Sequence, residues 1–173
     1  MSTSDFVKTS VHGQITLSDG TGTPVMLTGA YDLGDVNISG LSGPQLNEVT
    51  HHERRGKYVS SSYGARRYVQ ITFTAYLTGE GSAAPGSLQA FLMKAAPYTA
   101  NVSTLGSGRV YAVDFTLTIE GTDFGDVDDW ESTFTDCIPS DISLTEAMDG
   151  DKLSFTLTCV GSVSGDITAA EIA

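Results

Sequence analysis

Strict alternation of apolar and polar residues is the feature that most constrains the fold of this chain. Between Tyr68 and Thr78 every second position is apolar, and the positions between them are polar and uncharged. Side chains of a β-strand point alternately to the two faces of a sheet, so this period of two predicts a strand with one buried face. The same period returns in residues 109–121 and 152–160. Together these segments predict a mainly β protein.

Shorter segments predict further strands and one helix. Strands are expected over 14–17 and 25–28, around Val36 and Ile38, and from Leu46 onward. The helix prediction is the segment APGSLQAFLMKAAP, in which Pro85 suits the first helical position and Pro97 would end the helix. Its apolar residues follow helical spacing and form one stripe that could pack against a sheet.

The segment DISLTEAMDGDKLSFTLTCV predicts a closing β-hairpin. Asp149–Gly150 is favoured in a two-residue turn, because both positions of such a turn need positive φ. Counting outward from this turn places Leu144 opposite Phe155 and Ile142 opposite Leu157. One face of the hairpin is then apolar and the other small and polar.

The fold class expected from these elements is a β-sandwich or partial barrel of two packed sheets, with one short flanking α-helix. With 173 residues, 40% of them hydrophobic and 17% charged, the chain is long and apolar enough to bury a core of its own. We expect a single domain over residues 1–173, with a core from about 13 to 161 and flexible ends.

No motif in the sequence predicts an active site, a metal site or a cofactor site. His51 and His52 are adjacent, so on a strand they would face opposite sides and could not bind one metal ion together. Cys159 is in phase with apolar neighbours and is predicted to be a buried thiol. Cys137 lies at the edge of another predicted strand, where it could contact Cys159. We therefore expect no enzymatic activity.

Net charge and the lack of long apolar runs exclude two classes of function. Nine basic and twenty-one acidic residues give a net charge of -12, which makes tight binding to nucleic acid backbones improbable. No apolar run is long enough for a membrane helix and no signal peptide is visible, so we expect a soluble chain made in a cytoplasm, without membrane insertion.

The segment between Arg54 and Ala65 shows no clear period and is predicted to be a long loop, of the kind that is often functional or mobile. The basic residues in and around it are Arg54, Arg55, Lys57, Arg66 and Arg67. A second, acidic loop carries Asp123, Asp126, Asp128, Asp129 and Glu131. Two solvated loops are one interpretation of these clusters. The other is that the two loops are complementary surfaces that meet head to tail between copies of the chain.

The order of segments resembles the tail tube (major tail) proteins of long-tailed bacteriophages. The resemblance lies in GQITLSDGTGTPVMLTGAYDLGDVNISGL, in LNEVTHHERRGKYVSSSYGARRYVQITFTAYLTG and in the closing DCIPSDISLTEAMDGDKLSFTLTCVG, and it covers about residues 13–161. It implies subunits that join in hexameric rings, with a continuous inner β-barrel around a channel. Stacked rings would form the tube that conducts genomic DNA into the host. The implied partners are further copies of the chain and tape-measure, tail terminator and baseplate or tail-tip proteins, and the implied location is the virion tail, after assembly in the host cytoplasm.

This resemblance gives the uncharged strand faces a candidate role as the wall of the channel. A wall along which DNA slides should carry few basic side chains. The candidates for it are Gln70, Thr72, Thr74, Asp114, Thr116, Thr118, Thr156 and Thr158. The loop from Arg54 to Arg67 would contact the neighbouring ring, at its acidic loop. A monomeric β-sandwich that binds carbohydrate or decorates a capsid is the alternative that the sequence leaves open.

Overall fold

The computed structural model describes residues 13–23, 26–29, 33–41, 47–66, 68–76, 85–119, 129–146, 148 and 152–165. The strands in these ranges are β1 Gly13–Ser18, β2 Met26–Gly29, β3 Leu33–Ser39, β4 Asn47–Arg54, β5 Lys57–Arg66, β6 Val69–Tyr76, β7 Val113–Ile119, β8 Trp130–Thr145, β9 Lys152–Cys159 and β10 Val163–Gly165. One helix, α1 Pro85–Leu92, lies between β6 and β7.

Most strands belong to one antiparallel sheet, in the order β2-β1-β7-β8-β9-β6-β3, with β10 paired to β8. β4 and β5 pair only with each other and form a second, two-stranded sheet. The prediction of a mainly β fold with one short helix is confirmed. The predicted sandwich arises within the large sheet, which folds over on itself.

Aromatic contacts show how the large sheet folds over. Phe73 on β6 stacks on Phe155 of the adjacent strand β9, with ring centroids 5.0 Å apart. The Phe73 ring also lies 5.6 Å from that of Phe115 on β7. β6 and β7 are three positions apart in the strand order, so they would be about 14 Å apart in a flat sheet. The sheet therefore curls until β6 and β7 face each other across the core.

β8 makes this curl possible because it is 16 residues long and belongs to both layers. Its first half pairs with β7 and its second half with β9, and Cys137 has a partner in both registers, Val113 and Cys159. The preceding residue, Asp136, has a φ of 55°. This left-handed residue marks an irregularity in the pairing with β7, of the kind that bends a strand.

The core lies between the two layers and is closed by α1. Its members are Ile15, Leu17, Val69, Ile71, Phe73, Ala75, Leu88, Phe91, Leu92, Val113, Phe115, Phe134, Cys137, Leu153, Phe155, Leu157 and Cys159. Both cysteines are free thiols and buried, as predicted for Cys159. They occupy directly opposite positions on β8 and β9. The neighbouring Cys159 thiol and burial both raise the pKa of the Cys137 thiol.

The predicted register of the closing hairpin is wrong. In the closing hairpin Ile142 pairs with Phe155 and Leu144 with Leu153, a shift of two residues from the predicted register. A shift of two keeps every side chain on its face, so the alternation could not distinguish the two registers. The turn residues 149–150 lie outside the described residues.

The helix also ends earlier than predicted, at Leu92 instead of near Pro97. The backbone N–H of Ala95 donates to the carbonyl of Ala90 at 2.8 Å, and that of Lys94 donates to the carbonyl of Phe91 at 3.2 Å. These two bonds form the capping arrangement that closes a helix with a left-handed residue. No helix in the described ranges is long and apolar enough to span a membrane.

Candidate functional site

The predicted long loop is instead a β-hairpin, β4–β5, which we call the arm (residues 47–66). Val49 pairs with Tyr63 and Arg54 with Lys57, around a two-residue turn at Arg55–Gly56. Both turn residues have positive φ, 54° and 73°, as the tightest hairpin turns require. The prediction of an unstructured loop was therefore wrong, although its position in the chain was right.

The arm is exposed on both of its faces. Every side chain from residue 49 to residue 62 is exposed to solvent, including two large apolar ones, Tyr58 at 66% and Val59 at 61%. Within the described residues, neither strand of the arm pairs with the large sheet. Two-stranded hairpins are marginally stable in water by themselves. Among the described residues, the arm is thus the segment that would gain most from a contact outside the subunit.

Histidines on the arm point to opposite faces, as the sequence predicted. The His51 Nδ1 lies 2.7 Å from the Ser61 hydroxyl, and the His52 Nε2 lies 2.8 Å from the Ser62 hydroxyl. Each imidazole is held by a serine of the opposite strand. No group of three metal-ligating side chains occurs among the residues that the structure describes.

The basic residues of the arm divide into a tip and a base. Arg54, Arg55 and Lys57 surround the turn and form a compact positive tip. Arg66 ends β5 at the other end of a 10-residue strand, which places its backbone about 30 Å from the tip. Arg67 lies outside the described residues. The sequence therefore predicted one basic segment where the structure has a basic tip and a separate position at the base.

Only the end of the predicted acidic loop can be placed. Asp129 and Glu131 are exposed at the beginning of β8, and Glu131 pairs with Thr118 of β7. Asp123, Asp126 and Asp128 lie outside the described residues.

The candidate channel residues fall into two groups, one on each side of the curled sheet. One group lies on β6 and β9, where Gln70 pairs with Thr158, Thr72 with Thr156, and Thr74 with Ser154. The other group is Asp114, Thr116 and Thr118 on β7. Because Phe73 and Phe115 point toward each other across the core, the residues that alternate with them point outward in opposite directions. The two groups therefore lie on opposite sides of the subunit.

Both outward surfaces are rich in hydroxyl groups. On the β6–β9 side the strand β3 extends the surface, since Ser39 pairs with Gln70 and Asn37 with Thr72. On the β7 side Thr116 pairs with Thr16 of β1 and Thr133 of β8, and the hydroxyls of Thr116 and Thr133 are 3.1 Å apart. Each side also carries a carboxylate within its strands, Asp114 on the β7 side and Asp141, which pairs with Thr156, on the β6–β9 side.

Asp114 is a candidate channel residue whose pKa is shifted. Burial raises the pKa of its carboxyl, and the nearby negative Asp136 also raises it, whereas a hydrogen bond from the Asp136 backbone N–H, 3.0 Å long, acts in the opposite direction. The Asp136 carboxylate in turn accepts a bond from the Thr104 hydroxyl at 2.8 Å. Asp114 thus fixes the bend of β8 at the cost of a partly buried negative charge.

We expect Asp114→Asn to raise the melting temperature by a few degrees at pH 7 and to have no such effect near pH 3. A raised folded-state pKa means that the stability contribution of Asp114 is full below its unfolded pKa, about 3.9, and is lost as the pH rises through the folded pKa. Asparagine keeps the acceptor oxygen and never ionises. Thermal unfolding at both pH values checks this, with Asp141→Asn on the exposed part of β8 as the control for losing one charge. An equal gain at both pH values would contradict it.

Comparison with known proteins supports the fold. No family model matches the chain, and no curated protein matches it. A solved structure described as the anti-feeding prophage (AFP) baseplate contains a chain with a TM-score of 0.51 and 11% identity, over 95% of this chain and 98% of that one. The likeness is one of fold. A chain from an extracellular contractile injection system, the PVC sheath–tube complex in its extended state, gives a TM-score of 0.49 and 11% identity over 93% of both chains. The AFP tube terminating cap gives a TM-score of 0.49 at 10% identity.

Sequence reasoning missed one polar pocket, between the end of α1 and the start of β7. Its signal in the sequence is the pair of glycines on either side of Ser107, followed by Arg109. Strand β7 was predicted to begin at Arg109, but residues 109–112 belong to the loop that forms this pocket.

Proposed function

We propose that this chain is a structural, non-enzymatic subunit that associates with copies of itself in hexameric rings, which stack into the tube of a phage tail or a phage-tail-like particle. In a phage tail this tube would conduct genomic DNA, and the ends of the stack would contact tape-measure, tail terminator and baseplate proteins. The similar fold in a baseplate structure that was symmetrised six-fold supports the ring.

The observation that carries the proposal is the arm. Its two faces are exposed from residue 49 to 62, and it presents aromatic, aliphatic and basic side chains together. A hairpin of this composition gains stability when a protein surface covers it. In a head-to-tail assembly every arm would be covered by the next copy, and such contacts form rings or open stacks.

The outward sheet surfaces suit the wall of a channel. We assign the lumen to the β6–β9 side, with Gln70, Thr72, Thr74, Thr156 and Thr158, because these residues are uncharged and their hydroxyl and amide groups do not retain a polyanion. The β7 side, with Asp114, Thr116 and Thr118, would then face outward.

The basic tip of the arm would contact the acidic segment 123–131 of a subunit in the neighbouring ring, where opposite charges fix the docking register.

Electron microscopy of the purified chain tests this proposal. At high protein concentration we expect six-fold rings or hollow filaments, and a reconstruction that resolves strands should place Thr72 at the channel wall and Thr116 outside. Particles of the size of one subunit and without a channel, at every protein concentration, would contradict self-assembly. Rings lined by Thr116 would contradict only the assignment of the lumen.

A further inference from the structure

The loop between α1 and β7 forms a small polar pocket that is lined by no residue of the arm and by none of the candidate channel residues. It has a volume of about 230 Å³, enough for several water molecules. Two cationic side chains line it together with amide and hydroxyl groups: Lys94, Arg109, Asn101, Ser103, Ser107 and Tyr111. In a chain with a net charge of -12, two cations at one concave site are unusual.

Lys94 occupies a backbone position that normally belongs to glycine. It follows the last turn of α1 with a φ of 54°, in the left-handed conformation that closes the helix. Residues with a side chain are strained there, and glycine is the usual choice. Its Nζ is held 6.0 Å from the centre of the Tyr111 ring. Lysine at this position carries a conformational cost, which is consistent with a role for its ammonium group.

Hydrogen bonds hold the pocket in shape. The Tyr111 hydroxyl donates to the carbonyl of Phe91 at 3.1 Å and accepts from the Asn101 amide at 3.2 Å. The Ser103 hydroxyl donates to the carbonyl of Val110 at 2.7 Å and accepts from the N–H of Ala112 at 3.0 Å. These hydrogen bonds fix both ends of the loop. A ligand would therefore bind a preformed site, and its affinity would not be reduced by the cost of ordering the loop.

The backbone between these hydrogen bonds provides N–H donors. Gly106 and Gly108 have φ values of 97° and 78° on either side of Ser107. Such alternation of left-handed and ordinary residues turns successive N–H groups toward one side, which is how backbone concavities bind anions. Within the described residues, no protein group accepts a hydrogen bond from the N–H of Ser107 or Gly108.

Neither cation has an ion-pair partner among the residues that the structure describes. No carboxylate in the described part of the chain forms an ion pair with Lys94 or Arg109. We propose that Lys94, Arg109 and the N–H groups of Ser107 and Gly108 form a binding site for a small oxyanion, either a carboxylate or a phosphate group. The site does not depend on the assembly proposed above, because all its groups come from one subunit.

Titration of the monomeric chain followed by amide NMR tests the site. The probes are inorganic phosphate, acetate, and a synthetic peptide with the sequence of residues 121–131, which carries the carboxylates of the acidic segment. We expect at least one probe to shift the resonances of residues 94 and 106–109. Binding of phosphate or acetate alone would identify a free anion as the ligand, and binding of the peptide alone would identify an acidic segment of a second copy.

Two variants with a matched control make the test specific. Lys94→Gly and Arg109→Gln should each weaken binding about tenfold, the effect of losing one charge-assisted hydrogen bond. Lys94→Gly should leave the melting temperature unchanged or raise it, because glycine suits the left-handed position. Arg55→Asn removes a cation from another left-handed position, in the arm, and should not change the affinity for phosphate or acetate. If Lys94 only stabilised the helix dipole, Lys94→Gly would lower the melting temperature and Arg109→Gln would not change binding. That result, or the absence of binding by all three probes, would overturn the proposal.

Discussion

Charge reversal at the tip of the arm is expected to abolish tube formation and to leave the folded subunit intact. The variant combines Arg54→Glu, Arg55→Glu and Lys57→Glu. All three side chains are exposed, and substitutions at such positions usually change the free energy of unfolding by less than about 0.5 kcal/mol. Arg54 and Lys57 lie directly opposite each other, so the variant replaces one pair of like charges with another. A tip of the wrong sign would repel the acidic segment that we propose as its partner.

The measurements for this variant are thermal unfolding of the dilute subunit and electron microscopy of the concentrated protein. An unchanged melting temperature with loss of rings or filaments is the expected pair of results. The milder variant Arg55→Asn gives a control, because Asn–Gly is the most favourable sequence for this turn and only one charge is lost. It should raise the melting temperature slightly and weaken assembly without abolishing it. Normal tubes from the triple variant would show that the arm tip is not a contact.

A second set of reversals identifies the partner of the tip. If the tip contacts the acidic segment, Asp126→Lys, Asp128→Lys and Asp129→Lys should restore assembly in the triple variant and abolish it in the otherwise unchanged chain. Restoration requires the two segments to be close in the assembly, because the energy of exposed charges farther apart than about 10 Å is largely screened. Failure of both sets, with no restoration, would place the contact elsewhere.

The parts of the fold that the sequence predicts are those with one buried face. β1, β6 and β9 bury alternate side chains in the core, so their alternation is visible in the sequence. From residue 49 to residue 62 the side chains on both faces of the arm are exposed, and its sequence has no alternation for that reason. A hairpin whose packing partner is another molecule is read from one chain as a loop, unless its Arg–Gly turn is recognised.

The curl of the sheet and the register of its last hairpin depend on contacts that periodicity does not encode. Phe73 and Phe115 are more than 40 positions apart, and nothing in either strand indicates that their faces meet. This contact is what divides the predicted channel residues into two sides. Similarly, charge counts predicted the basic segment, but only the strand register separates the tip of the arm from Arg66.

Truncation of Phe73 is expected to cause a large loss of subunit stability. Its side chain is fully buried and contacts aromatic rings of both layers, Phe155 at 5.0 Å and Phe115 at 5.6 Å. Phe73→Ala leaves a cavity between the layers, and such substitutions cost about 3–5 kcal/mol. Chemical denaturation measures the change, and Thr72→Ala, on the outward face of the same strand, should cost less than about 1 kcal/mol. Similar losses for the two variants would mean that β6 has no buried face.

A double-mutant cycle between Phe73 and Phe115 tests the curl itself. Phe73→Leu and Phe115→Leu keep both positions apolar, and the cycle isolates the contact between these two rings, which is worth about 0.5–1.5 kcal/mol beyond the area that it buries. In an open sheet the two side chains would be about 14 Å apart, and the effects of the two substitutions would then add. A coupling free energy near 1 kcal/mol is therefore expected only if β6 and β7 face each other. That arrangement is also what puts Thr72 and Thr116 on opposite sides of the subunit, so additivity would remove the reason for assigning only one of them to a channel.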